Sequence, residues 1–271
     1  MELTDEQFAR YARHLILDEV GEEGQEKLLS ARVLVVGAGG LGSPLLQYLA
    51  AAGVGTLGTI DDDEVELSNL QRQVIHDTAS LGEAKVESAR RSIARINPDV
   101  KVETWRERLT AENALDIIGR YDVVADGTDN FATRYLINDA CYLAARPLVH
   151  GALLRFDGQL SVFKAHLGNP HPCYRCLFPE PPPEGLIPRC EEAGILGAVA
   201  GVIGTLQAVE VLKEILGLGE SLSGNLLVYD ALSTTFRKIK VKRDETCPLC
   251  GPRAEIRDLT GHRRQIVCAT A

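Results

Sequence analysis

A chain of 271 residues, 45% apolar and 25% charged, has the length for one large domain and the composition of an ordinary globular protein. Its 29 basic residues against 38 acidic ones leave a formal charge of −9, a balance that repels a phosphate backbone and argues against direct nucleic-acid binding. No basic, apolar leader opens the sequence, and the uncharged stretch of 17 residues from 193 to 209, with four glycines, is too short for a membrane span; a cytoplasmic protein with no membrane segment is expected.

Thr4-Asp5-Glu6-Gln7 has the pattern of a capping box, and Phe8, Tyr11, Ala12, Leu15 and Ile16 follow at helical spacing, so an amphipathic helix opens the chain. After a glycine-rich connection, residues 32–37 (RVLVVG) form a continuous apolar run of the buried parallel-strand type. A helix over 42–52, with Pro44 in its first turn and Gly53 as its stop, leads to a strand at 56–61. The alternation continues with a helix at 83–96, a strand at 100–104, a helix at 111–119, a strand at 122–126, a helix at 131–145 and a strand at 148–153. Phe156-Asp157-Gly158-Gln159 then reads as a hairpin turn into a strand at 159–165, five prolines between 178 and 189 mark a loop, and a buried helix near 195–216 precedes strands at 225–229 and 236–242. The expected fold is α/β, a Rossmann-like doubly wound mixed sheet, parallel in its N-terminal part and antiparallel at its C-terminal end.

Gly37-Ala38-Gly39-Gly40-Leu41-Gly42 lies between a strand and a helix and matches GxGxxG. Glycine is needed there because the backbone must turn tightly and approach a phosphate, which rests on the amides of the helix N-terminus. Asp61 ends the next strand, where a ribose hydroxyl needs an acceptor. Charge decides which nucleotide is expected. A dinucleotide for hydride transfer needs no ring of cations, whereas attack of a carboxylate on phosphorus requires both anions to be neutralised, and Arg72 and Lys85 follow the second strand closely, beside Asn69 and Gln73. The bland alternative is that both cations are solvated surface charges. Asp129 and Asn130 follow a buried strand at the ligand side of the sheet, where a carboxylate can hold magnesium; either of the two can instead cap the helix beginning near Phe131.

Seven cysteines in a reducing compartment argue against a disulfide framework. Four fall into matched pairs, Cys173-Tyr174-Arg175-Cys176 and Cys247-Pro248-Leu249-Cys250, each able to present two thiolates to one tetrahedral ion; a closed structural zinc site is expected. Cys141, inside an apolar helix, reads as a core residue, and His14, His76 and His150 as structural or polar contacts.

With GAGGLG, SNLQRQ (Ser68, Asn69, Leu70, Gln71, Arg72, Gln73), Lys85, GTDN and both cysteine pairs in this order, the chain resembles the MoeB/ThiF/HesA family, and within it the MoeB-type sulfur-carrier adenylyltransferases. The resemblance runs from about Thr4 to Gly251. It implies one adenylation domain over 1–251, with a helical arm at 1–30, a nucleotide-binding half at 31–155 and a carrier-binding and zinc half at 156–251; residues 252–271 are expected to be a flexible or partner-contacting tail. By resemblance, ATP activates the C-terminal glycine of a small ubiquitin-like sulfur-carrier protein ending in Gly-Gly as an acyl-adenylate, releasing pyrophosphate. Gly40 would contact ATP, Asp61 the ribose, and Asn69, Arg72 and Lys85 the phosphates, while Asp129 would hold magnesium with Asn130 beside it. Arg13 matches an arginine that reaches the phosphates of the neighbouring subunit, which implies a homodimer. Cys190 stands where relatives carry a cysteine for a thioester or sulfur-linkage step. The chain ends about twenty residues after Cys250, so the sulfur donor, a cysteine desulfurase or rhodanese, is expected to be a separate protein serving molybdopterin, thiamine or tRNA-thiolation chemistry. The rival readings are an NAD-dependent oxidoreductase, which leaves Arg72, Lys85 and Asp129 unexplained, and an adaptor that binds a ubiquitin-like tail without activating it.

Overall fold

The computed structural model describes residues 3–183 and 193–263. Eight strands form one sheet in the order β3-β2-β1-β4-β5-β6-β7-β8: β1 (Arg32–Val36), β2 (Thr56–Ile60), β3 (Lys101–Trp105), β4 (Val123–Asp126), β5 (Leu148–Leu154), β6 (Asp157–Phe163), β7 (Asn225–Asp230) and β8 (Thr235–Lys240). The pairs among β1 to β5 are parallel, and those from β5 onward are antiparallel. The mixed, doubly wound sheet expected from the strand-helix alternation is therefore present.

Alternation of side chains along a strand decides how the two faces are covered. Val33 and Val35 of β1 join Leu45, Leu46 and Leu49 of α3 (Gly42–Ala52), Ile93 of α4 (Lys85–Ile96) and Val211 of the long C-terminal helix (Gly197–Leu216). Leu34 and Val36 point the other way, into a core with Ile117 and Ile118 of α5 (Ala114–Ile118) and Tyr135 and Ile137 of α6 (Phe131–Leu143). Each fully buried side chain of this kind contributes about 1.5–3 kcal/mol, so β1 is fixed from both faces and the loop at its end is fixed with it.

Three expectations from the sequence are corrected. The connection after α1 (Asp5–Leu15) contains a second helix, α2 (Gly21–Ser30), despite its two glycines. Tertiary packing outweighs propensity there: Leu28 is buried, and fully buried Gln25 donates to the Ala52 carbonyl at 3.0 Å and bonds His14 at 2.9 Å. The hairpin turn lies at Arg155 and Phe156, with Arg155 at φ +56°, ahead of the Asp157-Gly158 pair that signals a turn. Gly158 sits inside β6 because a Cβ there would stand 2.3 Å from Ile203 of the long helix; the glycine permits close packing and makes no turn. The third concerns the segment beyond Gly251. Over residues 252–263 it packs onto the domain: Leu259 is buried in the α5–α6 core, His262 Nε2 lies 2.8 Å from Asp139 Oδ2, and Arg263 pairs with Glu112 at 3.0 Å. The capping box of α1 is formed as read, with Gln7 N–H donating to Thr4 Oγ1 at 3.2 Å and Thr4 N–H to Gln7 Oε1 at 3.0 Å. No helix among the described residues is long and apolar enough to cross a membrane.

Candidate nucleotide site and cysteine cluster

The C-terminal ends of β1, β2 and β4 lie side by side, which gathers three loops at one edge of the sheet. Gly37, the first residue after β1, has φ +93°, and its amide donates to the Ile60 carbonyl at 2.9 Å. A Cβ on Gly42 would stand 2.0 Å from the Gly37 carbonyl oxygen, and one on Gly37 would stand 3.1 Å from that of Gly127. Only bare backbone fits in this turn. The residue before α3, Leu41, makes no side-chain cap; within the first turn the Ser43 amide donates to the Gly39 carbonyl at 2.9 Å and Pro44 carries no N–H, so an anion at this helix start has the backbone of the glycine turn to meet.

Side chains from the β2 end, the 68–73 segment and the start of α4 gather at the turn. Asp61 accepts from the Ala38 amide at 2.8 Å and the Asp63 amide at 2.9 Å; burial raises its carboxyl pKa and the charge of Lys85 opposes the rise. Lys85, the first residue of α4, is 6% exposed and its Nζ lies 2.7 Å from Asp63 Oδ2, so it is not a solvated surface charge. Arg72 lays its stem against Gly40, where a Cβ would meet its Cγ at 3.6 Å, and donates to the Ser68 carbonyl at 3.1 Å; among the described residues no carboxylate pairs with it. Its cation is therefore available to an incoming anion. Asn69 is buried and accepts from the Glu66 amide at 3.1 Å, Ser68 and Gln71 are exposed, and Leu70 is half-buried. The amide of Gln73 lies 3.6 Å from the place of a Cβ on Gly39, close to the turn, and its Oε1 is buried with no hydrogen-bond partner among the described residues.

The loop after β4 presents Asp129 exposed and without a hydrogen bond or ion pair among the described residues. Asn130 is the cap of α6, accepting from the Thr133 amide at 2.9 Å, so the helix start uses Asn130 and leaves the neighbouring carboxylate available. Arg13 is not brought to this edge. It is exposed on α1, whose Tyr11 packs against Gly53 at the far end of α3 and whose Arg10 bonds the Ile96 carbonyl at the far end of α4. Cys190 lies outside the described residues. The adjacent carboxylates of Asp61, Asp62 and Asp63 come together, but Arg108 pairs with Asp62 and Lys85 with Asp63, which offsets their charge.

His76 supports the glycine turn from beneath, a role its sequence position does not reveal. Its Nε2 lies 2.9 Å from the Ala38 carbonyl and its Nδ1 2.9 Å from Ser88 Oγ. A carbonyl only accepts, so Nε2 carries the proton and Nδ1 accepts from the serine hydroxyl. Burial lowers the His76 pKa, in keeping with a neutral ring.

The four paired cysteines converge, as their spacing predicts. Sγ–Sγ separations are 3.8 Å for Cys173–Cys176, 3.5 Å for Cys173–Cys247 and 3.4 Å for Cys176–Cys250. Sulfurs about 2.3 Å from a tetrahedral zinc stand about 3.8 Å apart, so this donor set fits that ion and leaves no open position. Mutual hydrogen bonding lowers the thiol pKa of Cys176, to about 7, and that of Cys247, and raises those of Cys173 and Cys250, so the four sulfurs share their protons in the absence of an ion. Arg243 ties the second pair to the first through the carbonyls of Ala165 (2.8 Å), His171 (2.9 Å) and Cys250. Cys141 is buried in core as expected, and its pKa is raised by desolvation.

Comparison with known proteins bears on this arrangement. The model of the ThiF family matches residues 11–249. The chain belongs to the ThiF family. Within it, the chain is 52% identical over 264 residues to a sulfur carrier protein adenylyltransferase of Thermus thermophilus, covering 97% of each chain. It is 53% identical over 258 residues to the adenylyltransferase and sulfurtransferase MOCS3 of Sus scrofa, covering 95% of this chain but 56% of that longer protein. Among solved structures, E. coli MccB with AMPCPP and MccA superimposes with a TM-score of 0.78 at 22% identity, covering 92% of this chain and 75% of that one, which establishes the shared fold.

Proposed function

We propose that this ThiF-family chain is an ATP-dependent adenylyltransferase acting on the C-terminal glycine of a small ubiquitin-like sulfur-carrier protein that ends in Gly-Gly. The observation that carries the reading is the guanidinium of Arg72 against Gly40, with no carboxylate partner among the described residues, one loop away from buried Lys85 and the exposed carboxylate of Asp129. A carboxylate nucleophile is already anionic and needs no general base. Its attack on the α-phosphorus forms a C(O)O–P bond as the P–O bond to pyrophosphate breaks, and the protein's task is to align two anions and offset their charge. The backbone of the glycine turn receives phosphate oxygens, Arg72 and Lys85 supply positive charge, and the nucleoside end lies toward Asp61. Asp129 would hold the magnesium that accompanies ATP, with Asn130 fixing the loop as a helix cap.

Because α1 holds Arg13 away from its own glycine turn, the same arginine would act on the site of a second copy, which is the reason to propose a homodimer. Zinc on the four cysteines would be structural. Thiocarboxylation would follow with sulfur from a separate desulfurase or rhodanese, Cys190 serving that later step, in a cytoplasmic pathway to molybdopterin, thiamine or thiolated tRNA. ATP–pyrophosphate exchange with purified Gly-Gly carriers tests the central step. Carrier-dependent exchange is expected; its absence for every such carrier, or oxidation of NADH, would remove the reading.

A further inference from the structure

The loop that carries Asp129 is held from beneath by groups with no role in the scheme above. Every polar atom of the preceding residue, Thr128, is bonded. Its amide and its hydroxyl donate to Asp126 Oδ1 at 2.9 and 2.6 Å, and its carbonyl accepts from Arg134 Nη2 at 3.1 Å. Asp126 is fully buried, and its Oδ2 accepts at 2.8 Å from Nδ1 of His150, its register partner across β4 and β5. The backbone carbonyl of Asp126 accepts in turn from Gln207 at 2.8 Å. Burial raises the Asp126 pKa, yet the hydrogen bond from His150 and the nearby charges hold it below the ordinary value, while burial lowers that of His150. Both directions describe a neutral imidazole donating to an ionised carboxylate.

Tyr174 lies under both branches. Its ring meets His150 edge-on, with centroids 4.9 Å apart at 63°, and its hydroxyl faces the Arg134 guanidinium. Tyr174 is also the residue after Cys173 in the first cysteine pair; it is 2% exposed, and its amide donates to Asn138 Oδ1 at 2.8 Å. The ring is enclosed by Tyr135, His150, Phe163 and Phe178, and its backbone follows directly on Cys173, so a shift of the cysteine cluster is passed to the ring.

We propose that Tyr174, His150 and Arg134 form a brace through which the cysteine cluster sets the position of the Thr128–Asp129 loop, making these three positioning residues for adenyl transfer. The kinetic consequence rests on the adenylation reading; the mechanical one does not. If Tyr174 and His150 only filled space, their loss would loosen the loop no more than the neighbouring strands.

Amide hydrogen exchange on the full-length, zinc-loaded chain separates these cases, with zinc content measured alongside. In His150→Leu the Thr128 amide should exchange about tenfold faster, the size of one hydrogen bond, with the β1 amides unchanged. His150→Asn, which keeps a donor near the place of Nδ1, should restore protection. Tyr174→Phe removes only the hydroxyl under Arg134 and should still speed Thr128 exchange about threefold, which keeps the test open if the leucine variant does not fold. Chelation of zinc from the wild-type chain should loosen Thr128 before β1. In pyrophosphate exchange, His150→Leu should need several-fold more magnesium and lose about tenfold or more in kcat, with the KM for ATP within twofold. Thr128 exchange that rises only in step with β1, or that is unchanged in Tyr174→Phe, overturns the brace. Local loosening in a chain that adenylates no carrier supports the brace and removes the adenylation reading instead.

Discussion

Replacing Gly42 with alanine tests whether the glycine turn clasps a triphosphate. The added methyl would stand 2.0 Å from the Gly37 oxygen and 3.0 Å from its carbonyl carbon, both backbone atoms. Gly37 cannot retreat freely, since it holds φ +93° and is itself pressed toward Gly127. A carbon-to-oxygen contact relaxes at about 3.3 Å, so the mouth of the turn must open by about 1.3 Å. Overpacking of this kind costs about 1–3 kcal/mol, or roughly 2–10 °C in Tm for a chain of this size. A displacement near 1 Å at a reacting group costs about a hundredfold in rate, so kcat/KM for ATP in pyrophosphate exchange should fall by about that factor while the protein remains folded at 25 °C. Gly201→Ala is the control: a Cβ there meets nothing within 4 Å, in the interior of the long helix, and the change should stabilise the fold by about 0.5–1 kcal/mol without loss of exchange. ATP affinity and exchange rate of Gly42→Ala within twofold of wild type would refute the reasoning.

Buried His76 and His150 both have lowered pKa values, so the unfolded chain binds protons below its ordinary pH of about 6.5 that the folded chain refuses. Stability from these two groups should be complete above pH 6.5 and decline as pH falls below it, by up to about 1.4 kcal/mol per pH unit for each; urea titrations between pH 7.5 and 5 measure the slope, which His76→Gln should reduce by about half. Metal analysis should find one zinc per chain, and Cys247→Ser should lose it together with several degrees of Tm; a zinc-free chain of unchanged Tm would contradict a structural site. Asp129→Ala removes an exposed carboxylate that has no partner among the described residues, so stability should stay within about 0.5 kcal/mol while carrier-dependent exchange is abolished, and a folded variant that retains exchange would separate Asp129 from magnesium. Cys190→Ala should leave pyrophosphate exchange intact and affect only thiocarboxylate formation; a fall in exchange would place that cysteine in the first step.

Much of the candidate site was legible because its signals are local. A glycine motif between a buried strand and a helix, an acid at the next strand end, and two cysteine pairs of equal spacing each occupy a few consecutive residues, and their chemistry restricts what those residues can do. The strands were legible for a related reason: β1 and β2 are buried on both faces, so their apolar runs are nearly continuous. Where one residue type serves two purposes, the local signal misled. Asp157-Gly158 has turn chemistry, yet Gly158 is selected by the approach of Ile203, 45 positions later in the chain.

The sequence by itself determined the layered sheet, the glycine turn and the convergence of four thiols, since each follows from periodicity or spacing. Only the tertiary structure decided that Lys85 is buried beside Asp61 and Asp63, that His76 carries the glycine turn, that Asp126 and His150 bond inside the sheet, and that His262 returns to Asp139. The last three contacts join residues 38, 24 and 123 positions apart, where no periodicity operates. A polar side chain reads as soluble surface in a sequence; it becomes a structural element only when packing brings its one partner within about 3 Å and removes the water that would otherwise satisfy it.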